Sequence, residues 1–182
     1  MLDGEENVVL AAVKGRSSAF GLLYDHYQPK IYRFVLIKVG RREEAEDLTH
    51  QVFLQALQNI RTYEPLGFPF SSWLYRIARN QIIDHYRTRR VEVELEDAEE
   101  GLLVHSDASG SAERSLELER VRKAIAALKP EHQDIIVLRF VEDLPVKEVA
   151  MALEKSEGAV KVAQHRALKA LREILNQNQS NG

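Results

Sequence analysis

The chain of 182 residues contains no cysteine, which excludes a disulfide framework, a cysteine zinc site and a thiol nucleophile. Long apolar runs are missing too. None approaches the roughly 18 residues that would mark a membrane span, so no direct membrane insertion is expected. The opening residues, MLDGEENVVLAAVKG, are acidic before a short apolar run and carry no basic start. No signal peptide is expected there. The histidines (His26, His50, His85, His105, His132 and His165) are scattered, without the spacing of a metal set. No glycine-rich phosphate loop accompanies them, so neither a metal nor another cofactor is expected. No stretch alternates with period two for long enough to read as a strand. Hydrophobic residues still make up 45% of the chain, ordinary for a globular protein, and helix is what the remaining pattern supports.

The net charge of −3 argues mildly against a nucleic-acid partner, but its distribution argues the other way. Residues 1–90 hold 13 basic and 10 acidic side chains, residues 91–119 hold one and 10, and residues 120–182 hold 11 and 8. Two mildly basic blocks flank an acidic strap, and such asymmetry is more informative than the total. The strap, Val91 to Glu113, ends in a Ser/Gly/Asp cluster and reads as a linker. Leu102, Leu103 and Val104 interrupt it, so partial docking on an apolar surface and a plain solvated linker both remain open. The last residues, 177–182, read as a disordered tail.

Within the first block, Asn7 to Val13 is a short amphipathic segment. Ser18 to Val39 carries Phe20, Leu23, Tyr24, Tyr27, Ile31, Phe34 and Val35 at helical steps, with Pro29 predicted to kink or break it. Glu43 to Ile60 turns Ala45, Leu48, Val52, Leu57 and Ile60 toward a core. Arg61 to Ser71 has two prolines and a glycine and reads as a loop. Ser71 or Ser72 then caps a helix running through Arg90. After the strap, Ser115 to Leu128 is a helix with Leu118, Val121, Ile125 and Leu128 inward. Pro130 opens another that reaches about Val141, its missing N–H costing nothing at a helix start.

Val146 to Leu153, a turn at Glu154-Lys155-Ser156, and a helix from Ser156 to Arg172 form a helix-turn-helix pattern. Ser156 is an N-cap residue, and Val160, Ala163, Ala167, Leu171 and Ile174 share one face. Lys161, His165, Lys169 and Arg172 share another. A helix of this width fits the major groove, where Arg166 matches a guanine edge, Gln164 and His165 donate or accept, and Val162 suits a thymine methyl. The same pattern also fits an ordinary helical bundle with solvated lysines.

Phe70 to Arg90, FSSWLYRIARNQIIDHYRTRR, is less common. Trp73, Ile77, Ile82 or Ile83, and Tyr86 can form a buried stripe, while Arg76, Arg79, Asn80, Arg87, Arg89 and Arg90 crowd the rest. Aromatic rings interleaved with guanidinium groups suit single-stranded DNA, because bases stack on rings while arginines hold phosphates. Tyr63, Phe68 and Phe70 from the preceding loop add a possible pocket for an extruded base. A core role for Trp73 competes with that reading and is the favoured one.

AEDLTHQVFLQAL, FSSWLYRIARNQIIDHYR and, beyond the strap, ALKPEHQDIIVLRFVEDLPVKEVAMALEKSEGAVKVAQHRALKALR resemble the extracytoplasmic-function (ECF) sigma factors of bacterial RNA polymerase, over roughly Ala19 to Leu175. The resemblance implies an all-α, non-catalytic, cytoplasmic protein. It implies a core-binding and minus-ten domain over residues 1–90, a linker over 91–113 and a minus-thirty-five domain over 114–176. Glu46, Asp47, His50, Gln51, Leu54 and Gln55 would dock on the β′ clamp helices of core polymerase, with the β flap as a further contact. Tyr63, Phe68, Phe70, Trp73, Arg76, Arg79, Asn80, Asp84 and Arg87 would recognise and melt the minus-ten element. Ser156, Glu157, Lys161, Val162, His165, Arg166 and Lys169 would read the minus-thirty-five duplex. An anti-sigma factor is implied as a further partner, holding the protein at the inner face of the membrane in some cases.

Three positions depart from the family pattern. Val162-Ala163-Gln164 replaces a common Ser-Arg-Leu, His50-Gln51 replaces Gln-Glu, and Pro145 stands where a Ser or Thr often caps a helix. These bear on the DNA sequence preferred and on the charge of the clamp contact. A stand-alone helix-turn-helix regulator is the alternative reading, but it leaves the Trp/Arg/Asn helix unexplained and would need a dimer to span half-sites. An enzyme built on Asp84 and His85 is disfavoured, because neighbours on a helix point about 100° apart.

Overall fold

The computed structural model describes residues 2, 4–64, 67–93 and 112–180. Among the described residues every regular element is helical, as expected of an all-α chain. The helices are α1 (Glu5–Val13), α2 (Ser17–Val39), α3 (Arg42–Asn59), α4 (Phe70–Val93), α5 (Ala112–Ala126), α6 (Pro130–Ile136), α7 (Val146–Ala152) and α8 (Glu157–Ser180). A short 3₁₀ turn, Ile60–Thr62, follows α3, and a π-helical turn, Val137–Val141, follows α6. Most of the linker reading, including Leu102, Leu103 and Val104, lies outside the described residues. α8 continues through Ser180, past the point where a tail is expected to start.

The first half is a bundle of α2, α3 and α4 with α1 laid across it. α2 ends because Gly40 takes a left-handed conformation, φ 76°, and returns its N–H to the Leu36 carbonyl at 2.9 Å. That turn lets α3 pack back on α2. Contrary to expectation, α2 is unbroken at Pro29. The proline removes one helical N–H, but Leu23, Tyr27, Ile31 and Phe34 are buried on both sides of it, so one core holds both segments in line.

α4 starts at Phe70, and neither Ser71 nor Ser72 caps it. Glu5 of α1 supplies the acceptor instead: one carboxylate oxygen takes the Phe70 N–H at 3.3 Å and the other the Tyr27 hydroxyl at 2.6 Å. Among the described residues the Ser72 hydroxyl is buried without a partner. Glu5 is itself buried, so α1 fastens α2 to the start of α4 by a charge-assisted bond out of water. Of the open pair, Ile82 is buried and Ile83 exposed. Tyr86 does not join the stripe. It is 41% exposed, with its hydroxyl donating to the Lys38 carbonyl at 2.8 Å.

In the second half, Pro130 opens α6 as expected, and Gln133 donates to the Ala126 and Leu128 carbonyls to close the turn from α5. The helix predicted to reach Val141 changes pitch first. Glu142 N–H bonds back to the Val137 carbonyl, five residues earlier, at 2.9 Å. Such wide turns reposition whatever follows them, and here they aim Glu142 at the first half.

Other side chains point differently from the periodicity. Leu57 is 48% exposed and Leu118 67%, with Val121 also exposed. α3 already fills its core side with Ala45, Leu48, Val52, Phe53 and Ala56. Among the described side chains of α5, burial is confined to the end, at Ala124 and Ile125.

The two halves pack against each other, chiefly through α4 on α7. Lys38 of α2 donates to Asp134 of α6 at 2.7 Å and to the Pro130 carbonyl at 3.1 Å. Arg79 of α4 reaches the other oxygen of Asp134 at 3.1 Å. Arg33 of α2 forks onto Glu142 at 2.7 and 2.8 Å, and Tyr75 donates to the same carboxylate at 2.9 Å. Burial and the Glu142 charge push the Tyr75 phenol far above its usual range, so it stays a proton donor.

Candidate nucleic-acid interface

Three surfaces carry the residues singled out in the sequence. On α3, Glu46, Asp47, His50, Gln51 and Leu54 are exposed. Asp47, His50, Gln51 and Leu54 follow three- and four-residue steps along one stripe. Gln55, half-buried beside it, accepts from Gln81 of α4 at 2.8 Å and ties the stripe to the next surface. Leu57, expected inward, extends the exposed patch as a second apolar group. The signal that would have found it is its place three residues after Leu54.

The second surface comprises the loop before α4 and α4 itself. Tyr63, Phe70 and Trp73 form one ring cluster, with centroids 4.9 to 5.4 Å apart. Such tilted and edge contacts stabilise beyond the area they bury. Phe70 is 2% exposed and also packs on Tyr27, so it is the floor of the cluster and presents no face to a base. Tyr63, Phe68 and Trp73 are half-buried. The Tyr63 phenol is raised above its usual range, chiefly because burial disfavours its anion. Beside the cluster lies a recess of about 430 Å³ lined by Glu5, Glu6, Val9, Leu10, Tyr63 and Phe68, among others. α1, which the sequence reading gave no part in binding, supplies one wall.

Along α4, Asn80, Asp84 and Arg87 are exposed. Arg87 pairs with Asp84 one turn earlier at 3.2 Å. Arg76 and Arg79 are half-buried and turn toward the second half of the molecule, onto Glu154 and Asp134. The side chains of Arg89 and Arg90 lie outside the described residues.

The third surface is α8. Ser156 caps it as expected, its hydroxyl accepting the Ala159 N–H at 3.2 Å. Val160 and Ala167 are buried and Ala163, Leu171 and Ile174 half-buried, which fixes the helix on α6 and α7. Ser156, Glu157, Lys161, Val162, His165, Arg166 and Lys169 all lie on the solvent side. Gln164 does not join them. Its carbonyl oxygen accepts from the Arg139 Nε at 2.9 Å, while another Arg139 nitrogen bonds to the Leu144 carbonyl. That arginine braces the end of α6 against α8. Beside the first turn of α8, Lys155 holds Glu131 at 2.9 Å and keeps its carboxyl below the usual range, chiefly through that hydrogen bond.

Among the described residues no cluster of His, Asp or Glu could hold a metal ion, and no helix is long and apolar enough to cross a membrane.

The sequence matches the family model for sigma-70 region 2 over residues 23–92 and that for sigma-70 region 4 over residues 124–173. It is 37% identical to the ECF RNA polymerase sigma factor BldN of Streptomyces coelicolor, covering 92% of this chain and 64% of BldN. It is 36% identical to SigW of Bacillus subtilis, another ECF sigma factor, covering 89% of this chain and 91% of SigW. Two solved structures share the fold at 24% identity and a TM-score of 0.74. One is CnrH in complex with the cytosolic domain of CnrY, matched over 95% of this chain and 97% of that one. The other is RpoE of Bartonella quintana in complex with the anti-sigma factor NepR, matched over 86% and 96%. With both sigma-70 regions present in order, and with SigW matched over nearly its whole length, the chain belongs to the ECF RNA polymerase sigma factors, which direct promoter-specific transcription initiation.

Proposed function

We propose that the three surfaces divide the work of promoter selection. The exposed stripe of α3 (Glu46, Asp47, His50, Gln51 and Leu54, with Gln55 at its edge) docks on core polymerase at the β′ clamp helices. Its acidic and polar character complements a basic partner surface, and Leu54 with Leu57 adds apolar area. Asn80, Asp84 and Arg87, together with Arg76 and Arg79, hold the minus-ten strand. Tyr63, Phe68 and Trp73 supply rings for unstacked bases, and Phe70 holds those rings in place. Bases stack on such rings with little sequence preference, so specificity falls to the recess beside α1 and to the polar groups of α4. On α8, Lys161 and Lys169 contact phosphates while Val162, His165 and Arg166 face base edges of the minus-thirty-five duplex. Ser156 and Glu157 sit at the helix start, where backbone N–H groups favour a phosphate.

The protein itself catalyses nothing on this reading: it supplies contacts, and the polymerase performs the chemistry. It works in the cytoplasm, with an anti-sigma factor as a partner, as RpoE is found in complex with the anti-sigma factor NepR. The observation that carries the reading is the pairing, in one chain, of an aromatic and arginine-lined helix with a capped, base-facing α8. The region 2 match leaves the stand-alone regulator without support. Run-off transcription with core polymerase and a promoter-enriched genomic library tests it. Discrete start sites that depend on the added protein are expected. Tight duplex binding without any starts would refute it.

A further inference from the structure

Glu5 is the first residue of α1, and it is 7% exposed. A carboxylate is rarely buried unless its oxygens are satisfied. Here they are satisfied from α4, from α2 and from the chain before α1. One oxygen accepts the Phe70 N–H at 3.3 Å, and the other accepts the Tyr27 hydroxyl at 2.6 Å and the Leu2 N–H at 3.3 Å. Burial, and then the bond to Glu5, push the Tyr27 phenol far above its usual range, so it stays a donor. The rings complete the circuit, because Tyr27 packs on Phe70 with centroids 5.9 Å apart. Glu5, Tyr27 and Phe70 therefore hold one another in a closed triangle of two hydrogen bonds and one ring contact.

What the triangle holds is the ring cluster. Phe70 opens α4, and its N–H is one of those that a helix leaves without an internal partner. A cap from its own loop would let the start of α4 move with that loop. A cap from α1 pins the first turn to the body of the bundle. Trp73 follows one turn later on the same face, and Tyr63 packs on Phe70 and Trp73 at 5.4 and 4.9 Å. The same carboxylate lines the recess beside the cluster, so wall and floor share one anchor. An apolar side chain in place of Glu5 would fill space without the cost of burying a charge. It would not fix direction, because charge-assisted hydrogen bonds are short and oriented whereas apolar burial is non-directional. Binding sites need their side chains held to within about 0.5 Å of the productive geometry.

We propose that Glu5 is a positioning residue for capture of the minus-ten strand: it anchors the first turn of α4 to α2 and so sets the rings on which unstacked bases rest. The inference rests on the assignment of Tyr63 and Trp73 to that strand.

Trp73 is the single tryptophan of the chain, so its fluorescence reports the cluster without a label. In the free protein, Glu5→Ala is expected to shift Trp73 emission to the red and to open it to quenching by acrylamide. Glu5→Gln, whose amide oxygen still accepts the Phe70 N–H, should stay near the native spectrum. In holoenzyme assembled with core polymerase, Glu5→Ala is expected to bind a labelled single-stranded oligonucleotide of the mapped minus-ten sequence about tenfold more weakly, the loss of roughly one stacked base. Glu5→Gln should restore most of that affinity. Affinity for core polymerase and for the minus-thirty-five duplex should stay unchanged, which separates positioning from general unfolding. Should Glu5→Ala not fold, Tyr27→Phe removes one of the hydrogen bonds and keeps the ring contact, and a smaller loss confined to the oligonucleotide is expected. Equal losses on polymerase, duplex and oligonucleotide would overturn the proposal, as would undiminished oligonucleotide binding, whether or not Trp73 moves. A native holoenzyme that binds the duplex and ignores the oligonucleotide would sink the ring assignment itself, even with Trp73 displaced in the variants.

Discussion

Arg166 stands on the open face of α8, one turn beyond Val162 and beside Lys169. Among the described residues nothing uses its guanidinium to hold the fold, so its removal should leave stability almost untouched. On the proposed reading its value lies in DNA. A bidentate contact to guanine contributes about 1–3 kcal/mol of discrimination. Arg166→Ala is expected to weaken minus-thirty-five duplex binding by that amount and to relax preference at one base pair. A titration against a set of single-base variants checks both. An equal loss on every sequence would make Arg166 a phosphate contact, and no loss would remove it from the interface. Arg79 forms the contrast: similar in sequence context to its neighbours, it is committed to the buried Asp134. Replacing it would strand one side of a buried carboxylate, so a loss of function there would mix DNA binding with folding.

At the scale of elements, helical period and end signals told most of the story. Ser156, Pro130 and the loop from Arg61 each mark a boundary that the structure also has, because caps and breakers act locally. Periodicity alone could not say which side of a helix would meet a partner. Leu57, Leu118 and Tyr86 follow the stripe and yet face solvent, since neighbours distant in sequence decide which positions are covered. Lys38 and Asp134 are 96 residues apart, and nothing local in either helix marks them as a pair. α4's start was missed for the same reason, because its cap comes from Glu5, 65 residues upstream. The outer faces of α3 and α8, by contrast, were legible, since each is one helix read by its own period.

Pro29 shows how far a core overrides a local signal. Its ring faces solvent within an unbroken α2, where it can give no N–H to the Asp25 carbonyl and crowds that group. The surrounding core absorbs a cost that reaches about 3 kcal/mol in isolated helices. Pro29→Ala restores the donor without touching a buried contact, so it is expected to stabilise the protein by about 1–3 kcal/mol and raise the midpoint of thermal unfolding. A lower midpoint would mean that the proline shapes the helix in a way the packing requires.

Across the whole molecule, the packing of the two halves mixes contacts of different kinds. Arg33 is half-exposed at its side chain, so salt screens its bond to Glu142, whereas the bond between Lys38 and Asp134 is buried and screened much less. Ionic strength alone should therefore loosen the packing of the two halves without separating them. On the proposed docking of α3 on polymerase, polymerase can do more: once α3 is bound, any contact it makes with the second half competes for α6 to α8 at high effective concentration. Cysteines introduced at Leu22 and Glu173, both exposed on α2 and α8, allow a donor and acceptor dye to report this. Energy transfer is expected to be high in the free chain, to change little between low and high salt, and to fall when core polymerase is added before any DNA. A fall that waits for promoter DNA would assign the opening to the melted strand, which would then displace Asp134 and Glu154 from Arg79 and Arg76 directly. Transfer that stays high with polymerase and promoter together would mean that the halves never separate, and that the distance between the two promoter elements is bridged by bending the DNA.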